Sequence, residues 1–500
     1  MKRFKYIALS ALAVLGVGLS GCSGDYLDVT PTDKVSSSTV YTTIDNLYSA
    51  LNGIHRKMVS QDLSNQGMGG EPGFIIAREA MGDDMTWDTQ TWHQSYLNWS
   101  YNTNASSQYN YGIWETYYLF ILNANYILEG LDELGDLTEA ETERARYIRG
   151  EALCIRAWAH FQLVQYYAKP YINGQNNTQP GIPYRETSEV LHEIARTPVE
   201  QVYEGINADL TEAAGLLQGY NAEDINHYTE KVALGLLARV ALTQQRYAEA
   251  AEYAKQAIDV AESEGLALMS PDELMNGFVD ISSTTDEAMY AALTQDDQTV
   301  YFYSFYAYMS WNFNSSSIRT GIKCINQATY DKMGLNDYRR QWWDPTGKAQ
   351  VPSSSYNQRV YQNRKFTARS TANAVGDFAF MRLSEMYLIA TEAYARSGNE
   401  AAAKEYLSRF VAQRDPDMTG CDKSGSELID AIMQHRRIEL WGEGFRWFDL
   451  KRLQEPIHRD GSNFNSTFCG FLNKEINEDG WIFEIPQKET DYNPLMEKNY

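Results

Sequence analysis

Two aromatic-rich segments, residues 67–110 and 280–373, hold the side chains best suited to binding a ligand. Six of their rings could stack on a flat apolar surface: Trp87, Trp92, Trp99, Tyr303, Tyr306 and Trp311. Polar residues that could bind hydroxyl groups lie near the three tryptophans of the first segment: Arg78, Asp83, Asp84, His93 and Asn98. A pyranose offers apolar C–H faces to aromatic rings and equatorial hydroxyls to carboxylate, amide and guanidinium groups. The pattern predicts a sugar-binding surface, although packing against a helix is an equally open interpretation for any single tryptophan.

The sequence carries no pattern typical of a catalytic or cofactor-binding centre. No His-Glu-x-x-His, Gly-x-Ser-x-Gly or phosphate-loop pattern occurs, and the seven histidines are scattered without metal-ligand spacing. A glycosidase needs two carboxylates about 5–10 Å apart across a cleft, but among 66 acidic residues the sequence singles out no pair. We therefore predict no catalytic residue, no cofactor and no metal ligand. Calcium binding at the acidic pair Asp83-Asp84 stays open as an alternative.

The charge balance narrows the range of partners. The formal net charge is −23, from 43 Lys and Arg residues against 66 Asp and Glu residues. A protein this acidic repels phosphate backbones and anionic lipid headgroups, so no nucleic acid is expected as a partner.

The N-terminus has the pattern of an export signal. Met-Lys-Arg-Phe-Lys precedes an apolar run from Ile7 to Leu19 that is too short to span a bilayer, and Leu-Ser-Gly then leads to Cys22. This arrangement resembles a bacterial lipobox, in which Cys22 is lipidated and becomes the first residue of the mature chain. We predict a signal peptide over residues 1–21 and a lipid-anchored tether over residues 22–43. An ordinary cleaved signal with an incidental cysteine is the alternative.

The other cysteines, Cys154, Cys324, Cys421 and Cys469, are widely spaced. Because they contain no Cys-x-x-Cys pair, they favour neither a zinc site nor a disulfide scaffold. Export permits disulfides, and three full pairings stay open. Cys154 lies within a helical pattern and is expected to be a small buried apolar residue.

Apolar residues recur at helical spacing through much of the chain. The pattern predicts a first helix near Ile44, long helices over Tyr111–Leu131 and Ala140–Ala168, and a further helix that Pro198 opens. Val300–Tyr308 alternates aromatic and other residues in places, which predicts a short strand.

Two segments, Leu236–Asp259 and Leu388–Phe410, resemble tetratricopeptide units. Ala250 and Ala403 fall where that motif has small residues for close helix packing, but the two alanines lie about 150 residues apart, so the chain is no regular tandem array. We predict a mainly α fold, a tetratricopeptide-like helical-repeat scaffold with long, loop-rich, partly β insertions. Loops on a rigid scaffold are the usual place for binding.

Three segments of the C-terminal third are specific enough to indicate a family. They are RLSEMYLIATEAYARSG at 382–398, RRIELWGEGFRWFDLKR at 436–452 and WIFEIPQKETDYNP at 481–494. Together with the Cys22 pattern and the Asp25-Tyr-Leu-Asp28 that follows it, they resemble the SusD/RagB family of nutrient-binding outer-membrane lipoproteins of Bacteroidetes. Their order and spacing match that family, and the resemblance covers essentially the whole mature chain.

The resemblance implies a SusD-like α-α superhelix with an N-terminal helical region over 44–279 and a C-terminal RagB/SusD region over 280–500. It also implies a lipid-anchored protein on the outer face of the outer membrane, which binds a nutrient glycan and delivers it to a SusC-like TonB-dependent transporter. Family members place ligand aromatics in comparable insertions, which assigns the predicted ligand residues by region: Arg78, Asp83, Asp84, Trp87, Trp92, Asn98, Trp99, Tyr303, Tyr306 and Trp311. A peptide-binding lid of the same kind of transporter is one alternative, and a glycoside hydrolase is another; we expect no enzymatic activity.

The charged residues of the signature segments are interpreted as structural. Those expected to form ion pairs within one helix or across a helix-turn-helix are Arg382, Glu385, Glu439, Glu443, Arg446 and Asp449. Gly442 and Gly444 would allow the turn. A catalytic role for two of these carboxylates with an arginine is the alternative.

Overall fold

The computed structural model describes residues 41–61, 68–89, 92–276, 278–281, 285–294, 304–418 and 420–500. Cys22, the predicted signal peptide and the predicted tether up to residue 40 lie outside these ranges, as does Tyr303. Within them, no helix combines the length and the apolar character needed to cross a bilayer.

Helices dominate the described residues. In chain order they are α1 (Ile44–Met58), α2 (Gly70–Met81), α3 (Gln94–Leu97), α4 (Gln108–Asp132), α5 (Glu139–Tyr167), α6 (Val199–Leu216), α7 (Glu230–Thr243), α8 (Tyr247–Ser263), α9 (Pro271–Asn276), α10 (Phe305–Met309), α11 (Ser316–Arg319), α12 (Gln327–Tyr330), a 3-10 helix (Tyr338–Trp342), α13 (Leu383–Arg396), α14 (Glu400–Val411), α15 (Gly425–Glu439), α16 (Arg446–Leu453), α17 (Ser466–Cys469) and α18 (Gln487–Tyr492). The strands are β1 (Met85–Thr86), β2 (Ala288–Ala292), β3 (Cys324–Ile325), β4 (Trp343–Asp344), β5 (Gln362–Asn363), β6 (Phe378–Arg382), β7 (Ile457–His458) and β8 (Asn473–Lys474). The predicted mainly α fold is confirmed.

The two longest helices, α4 and α5, pack against each other and match their predicted ranges to within three residues. α5 begins with a capping box, in which the N–H of Glu141 donates to the Thr138 hydroxyl and the N–H of Thr138 donates to the Glu141 carboxylate. α6 begins at Val199 with Pro198 as its N-cap, one residue later than predicted. α5 and α6 approach closely at Gly150, where a Cβ would lie 2.7 Å from Cγ of Leu217.

The two tetratricopeptide-like units are helix pairs, α7 with α8 and α13 with α14, and they are neighbours in space. α8 packs directly on α13, so the units stack although a long segment separates them in sequence. The small residues Ala250, Ala257 and Ala403 are fully buried, as close helix packing requires. The interruption between the units is therefore an insertion into a continuous helical stack.

The insertions contribute the sheets. Strands in the order β1-β3-β5-β4 form one antiparallel sheet, which joins the first aromatic segment to the second. β2 pairs with β6, and β6 leads directly into α13. β7 pairs with β8. These short strands position loops on the side of the helical stack rather than forming a core of their own.

The strand predicted over Val300–Tyr308 is wrong in its described part, because Phe305–Met309 forms α10. The hydroxyl of Ser304 accepts a hydrogen bond from the N–H of Ala307 and caps this helix. The alternation of aromatic residues reflects burial on all sides, since Phe305, Tyr306, Ala307 and Tyr308 are all buried.

The signature glutamates lie in a buried ion-pair network. Glu439 accepts from Arg382, Arg414 and Arg339 at 2.9–3.2 Å, and Glu443 accepts from Arg382 and Lys365 at 2.7 Å. Although burial alone raises the pKa of Glu439, the three guanidinium groups hold it well below its usual value. The partners of Glu439 and Glu443 come from distant segments, whereas Asp449 pairs across the turn with Arg436 at 2.8 Å, as expected. The turn between α15 and α16 has positive φ values at Gly442 (+81°) and Gly444 (+82°), as expected.

Candidate ligand-binding face

The two aromatic segments pack against each other. β1 of the first pairs with β3 of the second, and Asp88 forms an ion pair with Arg359. The His93 ring meets the Tyr308 ring edge to face, with centroids 4.8 Å apart. Trp92 directly precedes His93 in the chain and Trp311 follows Tyr308 by three residues, so the contact brings parts of both predicted segments together.

Three of the predicted aromatic residues are buried and do not offer a ring face to solvent. Trp87 is 2% exposed and Trp99 is 4% exposed, and Tyr306 is buried as well. The Trp99 indole N–H donates to the carbonyl of Met81 at 3.0 Å, and the Tyr306 hydroxyl donates to the carbonyl of Asp377 at 2.9 Å. Packing of a mainly helical core accounts for these rings, which corrects the expectation that they stack on a ligand.

Two predicted hydroxyl partners, Asp83 and Asp84, are buried and already bound to arginines. Nε of Arg446 lies 2.6 Å from Oδ1 of Asp83, and Nη2 of Arg437 lies 2.6 Å from Oδ1 of Asp84. Burial alone raises the pKa of Asp83, but the two guanidinium groups outweigh it and hold the pKa below its usual value. Because the arginines occupy these carboxylates, they are not free to bind a sugar or a calcium ion in this structure.

Arg78 is likewise internal. Its Nη2 donates to Oε1 of Glu71 at 2.7 Å, and its Nη1 lies 3.3 Å from the hydroxyls of Tyr117 and Tyr166. The charge of Glu71 and these hydrogen bonds satisfy a buried guanidinium, which would otherwise be costly to bury. Like the two aspartates, Arg78 is buried and paired, so it is not available to the predicted ligand.

The remaining predicted residues are accessible. Trp92 is 48% exposed. Trp311 is half-buried, and its indole N–H donates to the Thr367 hydroxyl at 2.9 Å, which fixes the ring. Asn98 is half-buried with its side-chain oxygen turned to the N–H of Ser100 at 3.1 Å. The predicted ligand surface narrows to these three residues.

A cleft beside Trp311 adds polar residues that the sequence reasoning missed. The polar side chains that line it are Ser310, Lys323, Asn357, Gln362, Asn363 and Arg364. The guanidinium carbon of Arg364 lies 4.1 Å from the centre of the Trp311 ring, a cation–π distance. No spacing in the sequence marks these residues, because the pairing of β3, β4 and β5 brings them together.

Several buried polar atoms at this junction have no hydrogen-bond partner within the described part of the chain. They are Oδ1 of Asp88, both ring nitrogens of His93, Nε of Arg359 and Nη1 of Arg364. A buried polar group without a partner is rare and costs about 1–3 kcal/mol. Of these residues, Arg364 lines the Trp311 cleft, and a hydroxyl-rich ligand there can supply a partner for its Nη1.

The basic groups of the face lie in a low-dielectric environment. Burial lowers the pKa of Lys323 to about 7, and its Nζ donates to the carbonyl of Gly321 at 2.7 Å while lying 5.2 Å from the Trp87 ring centre. Burial and the charge of Lys323 lower the pKa of His93 to about 3, so this imidazole is neutral at physiological pH. The His93 ring is fully buried, so its nitrogens do not face solvent.

Carboxylates do not line this cleft. Among the described residues that form its walls, none is Asp, Glu, His or Cys. General acid–base hydrolysis of a glycoside requires a pair of carboxyl groups across the bound sugar. The described cleft walls therefore lack the carboxyl pair that acid–base hydrolysis of a glycoside uses.

The Trp311 cleft is small, about 20 Å³, and larger cavities and clefts lie elsewhere on the molecule, two of them much larger and open. One, of about 500 Å³, runs between α4 and the C-terminal segment and includes Trp114, Leu191 and Tyr492. The other, of about 550 Å³, includes Trp481 and Tyr500. Size alone favours these clefts, but the unpartnered polar atoms described above lie at the junction of the two aromatic segments. We therefore take that junction as the candidate site.

The fold is a helical-repeat scaffold that carries loop-rich insertions. Residues 243–500 match the family model described as "SusD family", and residues 25–242 match the model described as "Starch-binding associating with outer membrane". The chain belongs to the SusD/RagB family, as its signature segments predict. The two models meet at residues 242 and 243, and the predicted regional boundary after residue 279 stays a prediction.

Relatives cover nearly the whole chain. A solved structure described as a putative sugar binding protein from Bacteroides vulgatus ATCC 8482 is 26% identical, with a TM-score of 0.76 over 92% of this chain and 99% of that one. SusD-like protein P2 of Formosa agariphila is 23% identical over 91% of both chains. A SusD-like protein of Bacteroides ovatus is 21% identical over 99% of this chain and 92% of its own length. These similarities agree with the tetratricopeptide-like fold.

Proposed function

We propose that this protein binds an oligo- or polysaccharide at the face that carries Trp92, Trp311 and Arg364, and delivers it to a SusC-like TonB-dependent transporter. The observation that carries the proposal is the junction of the two aromatic segments, where an exposed and a half-buried indole accompany buried polar atoms without partners. Aromatic faces and unpaired polar groups together match the amphipathic surface of a sugar.

Membership of the SusD/RagB family supports the same function. A further structural neighbour, 18% identical with a TM-score of 0.69, is described as a laminarin binding SusD-like protein. At this identity the similarity supports a shared fold but not a shared ligand. The glycan that this chain binds depends on the residues of its own binding face. The accessible tryptophans, the arginine stacked on Trp311 and the exposed amide of Asn357 are the groups that select the ligand.

The proposal places the protein on the outer membrane through lipidated Cys22, facing the exterior, without chemistry of its own. The lipobox-like sequence and the family description "associating with outer membrane" support the location. The described cleft walls hold no carboxylate pair and Asp88 at the junction is paired with Arg359, which supports binding rather than hydrolysis. Binding at one shallow face is modest, and a polysaccharide strengthens it by offering many equivalent segments.

Isothermal titration calorimetry against a panel of soluble α- and β-glucans, mannans and xylans tests the proposal. We expect binding of at least one glycan without release of new reducing ends, and a loss of affinity of about tenfold or more in Trp92→Ala and Trp311→Ala. Tyr492→Ala is the matched control, since Tyr492 is an exposed aromatic residue outside the face. New reducing ends would overturn the binding-only function, and binding of extended peptides but no glycan would favour the peptide-binding alternative.

The transporter is tested separately, by purifying the lipidated protein from outer membranes in mild detergent. A stoichiometric large β-barrel protein is the expected companion. Its absence after gentle crosslinking would contradict the delivery step while leaving glycan binding intact.

A further inference from the structure

A second cluster of polar side chains lies inside the helical stack, on elements that do not form the ligand-binding face. His55 on α1, Glu151 on α5 and His227, three residues before α7, are all buried. Nε2 of His55 lies 3.3 Å from Oε2 of Glu151, and Nδ1 of His227 lies 3.0 Å from both carboxylate oxygens. Two imidazoles and one carboxylate therefore meet at one point.

The separations match those of ligands on a metal ion. One ligand atom from each of the three residues lies within 4.8 Å of the other two. Zn²⁺ binds nitrogen and carboxylate oxygen at about 2.0–2.2 Å in tetrahedral geometry, which puts neighbouring ligand atoms about 3.3 Å apart. The observed nitrogen–oxygen distances of 3.0–3.3 Å are close to that value.

In both rings, the nitrogen that faces away from Glu151 contacts a tyrosine hydroxyl, as the second nitrogen of a metal-binding histidine usually contacts a polar group. Nδ1 of His55 lies 3.2 Å from the Tyr290 hydroxyl, and Nε2 of His227 lies 3.4 Å from the Tyr48 hydroxyl. Such contacts fix the tautomer and the orientation of a coordinating imidazole. The N–H of Tyr228 donates to Oε2 of Glu151 at 2.9 Å and orients the carboxylate in the same way.

We propose that His55, Glu151 and His227 bind one divalent transition-metal ion, with Zn²⁺ as the best match. Imidazole nitrogens favour zinc over the hard cations Ca²⁺ and Mg²⁺, which take oxygen ligands. The fourth position belongs to water or another small ligand, as in other three-ligand zinc sites. The half-buried Tyr48 ring, stacked on His227 at 5.7 Å between centroids, covers the approach from solvent.

The ion crosslinks three parts of the chain that are distant in sequence. α1 is the first described helix, and Leu47, Leu51 and Ile54 pack it into the core. Coordination by His55 fastens this helix to α5 and to the segment that enters the tetratricopeptide-like stack at α7. An ion bound only to the folded chain stabilises it in proportion to the logarithm of its free concentration.

The test uses the full-length mature chain without a histidine tag, stripped with EDTA and titrated with ZnCl₂ by calorimetry in the presence of excess Ca²⁺. We expect one Zn²⁺ per chain and a rise in the thermal unfolding midpoint on zinc addition that EDTA reverses. Co²⁺ in place of zinc should give the intense visible absorption of a tetrahedral site. A wild-type chain that neither binds zinc nor gains thermal stability overturns the proposal and leaves a hydrogen-bonded triad.

Variants assign the ligands. His227→Asn and Glu151→Gln preserve side-chain shape and should weaken zinc binding about 100-fold or more, since even the loss of an outer-shell partner costs about 10–100-fold. His192→Asn is the control, because His192 is exposed and outside the cluster. If a cluster variant fails to fold, the cobalt spectrum of the wild-type chain still shows whether a tetrahedral metal site is present. Wild-type affinity in folded His227→Asn would contradict this site.

Discussion

Arg446 binds Asp83 across 363 residues of sequence, with 2.6 Å between Nε and Oδ1. The same signature segment supplies Arg437 to Asp84 and the indole N–H of Trp441 to the carbonyl of Asp84 at 3.0 Å. Three contacts thus fix the chain just before β1, which begins the ligand-binding face. The signature segment positions this face without lining the Trp311 cleft.

We expect Asp83→Ala to lower the free energy of unfolding by about 3–5 kcal/mol, because it leaves the buried guanidinium of Arg446 without its closest carboxylate. Urea unfolding followed by circular dichroism measures the change.

Asp45→Ala is the control for that variant. Asp45 forms an ion pair with Arg144, but both side chains are largely exposed, so a change of about 1 kcal/mol or less is expected. Equal effects in the two variants would show that burial does not set the strength of the Asp83 pair.

Periodicity predicted the helices well because their signals are local. α4 and α5 have N-caps and many apolar residues within their own sequence, and the small residues Ala250 and Ala403 mark helix pairs that pack closely. Aromatic content did not separate surface from core. Trp92 and Trp99 lie seven residues apart in one segment, yet one is exposed and the other is buried under Phe471 and Trp481.

Groups assembled by tertiary folding gave no signal in the sequence. His55 and His227 are separated by most of the N-terminal half, so no ligand spacing relates them; the packing of α1 on α5 brings His55 to Glu151, and the packing of α7 on α5 brings His227 there. Arg364 and Asn357 reach the cleft through strand pairing in the same way. A local sequence pattern cannot predict a contact between residues that only the tertiary fold brings together.

The two tryptophans of the first segment should behave oppositely on truncation. Trp99→Ala removes a buried ring and a hydrogen bond to Met81, and should destabilise the protein by about 3–5 kcal/mol. Trp92→Ala should change stability by about 0.5 kcal/mol or less, because the ring is largely solvated. Thermal and urea unfolding of both variants measure this difference. A large loss of stability in Trp92→Ala would show that its ring packs in solution and would weaken its assignment to the ligand.

Arg364→Lys should weaken glycan binding about tenfold while keeping the positive charge. A guanidinium stacks its plane on Trp311 and offers an unpaired donor, whereas an ammonium group has neither the plane nor the fixed geometry. Calorimetry with the best glycan of the panel measures the loss. Arg340→Lys is the matched control, since Arg340 lies 4.4 Å over the Tyr330 ring outside the cleft. Unchanged affinity in Arg364→Lys would show that the guanidinium does not contribute to glycan binding.

The pH dependence of stability should reveal buried Lys323. Its folded pKa is lowered to about 7 by burial, whereas an unfolded lysine keeps its proton to about pH 10.4. Between these values the unfolded state binds more protons, so the group makes the unfolding free energy rise with pH, by up to about 1.4 kcal/mol per pH unit. Urea unfolding at intervals from pH 7 to 9 measures the slope.

Lys323→Met should reduce that slope, and the exposed Lys348→Met in the same segment should leave it unchanged. Lys451, whose pKa burial lowers to about 7, keeps a positive slope in both variants. An identical slope in wild type and Lys323→Met would mean that Lys323 keeps its proton in the folded state above pH 7.

Cys22→Ala should release the protein from the membrane. Lipidation at Cys22 is the only anchor that the sequence predicts, and two acyl chains are needed for stable attachment. Fractionation of cells that express the variant should move it from the membrane pellet to the soluble fraction, and metabolic labelling with a palmitate analogue should no longer mark it. Cys421→Ala is the control, because Cys421 is a free, half-buried cysteine within the folded region. A variant that stays in the outer membrane would show that another contact, such as a transporter, is enough to hold the protein there.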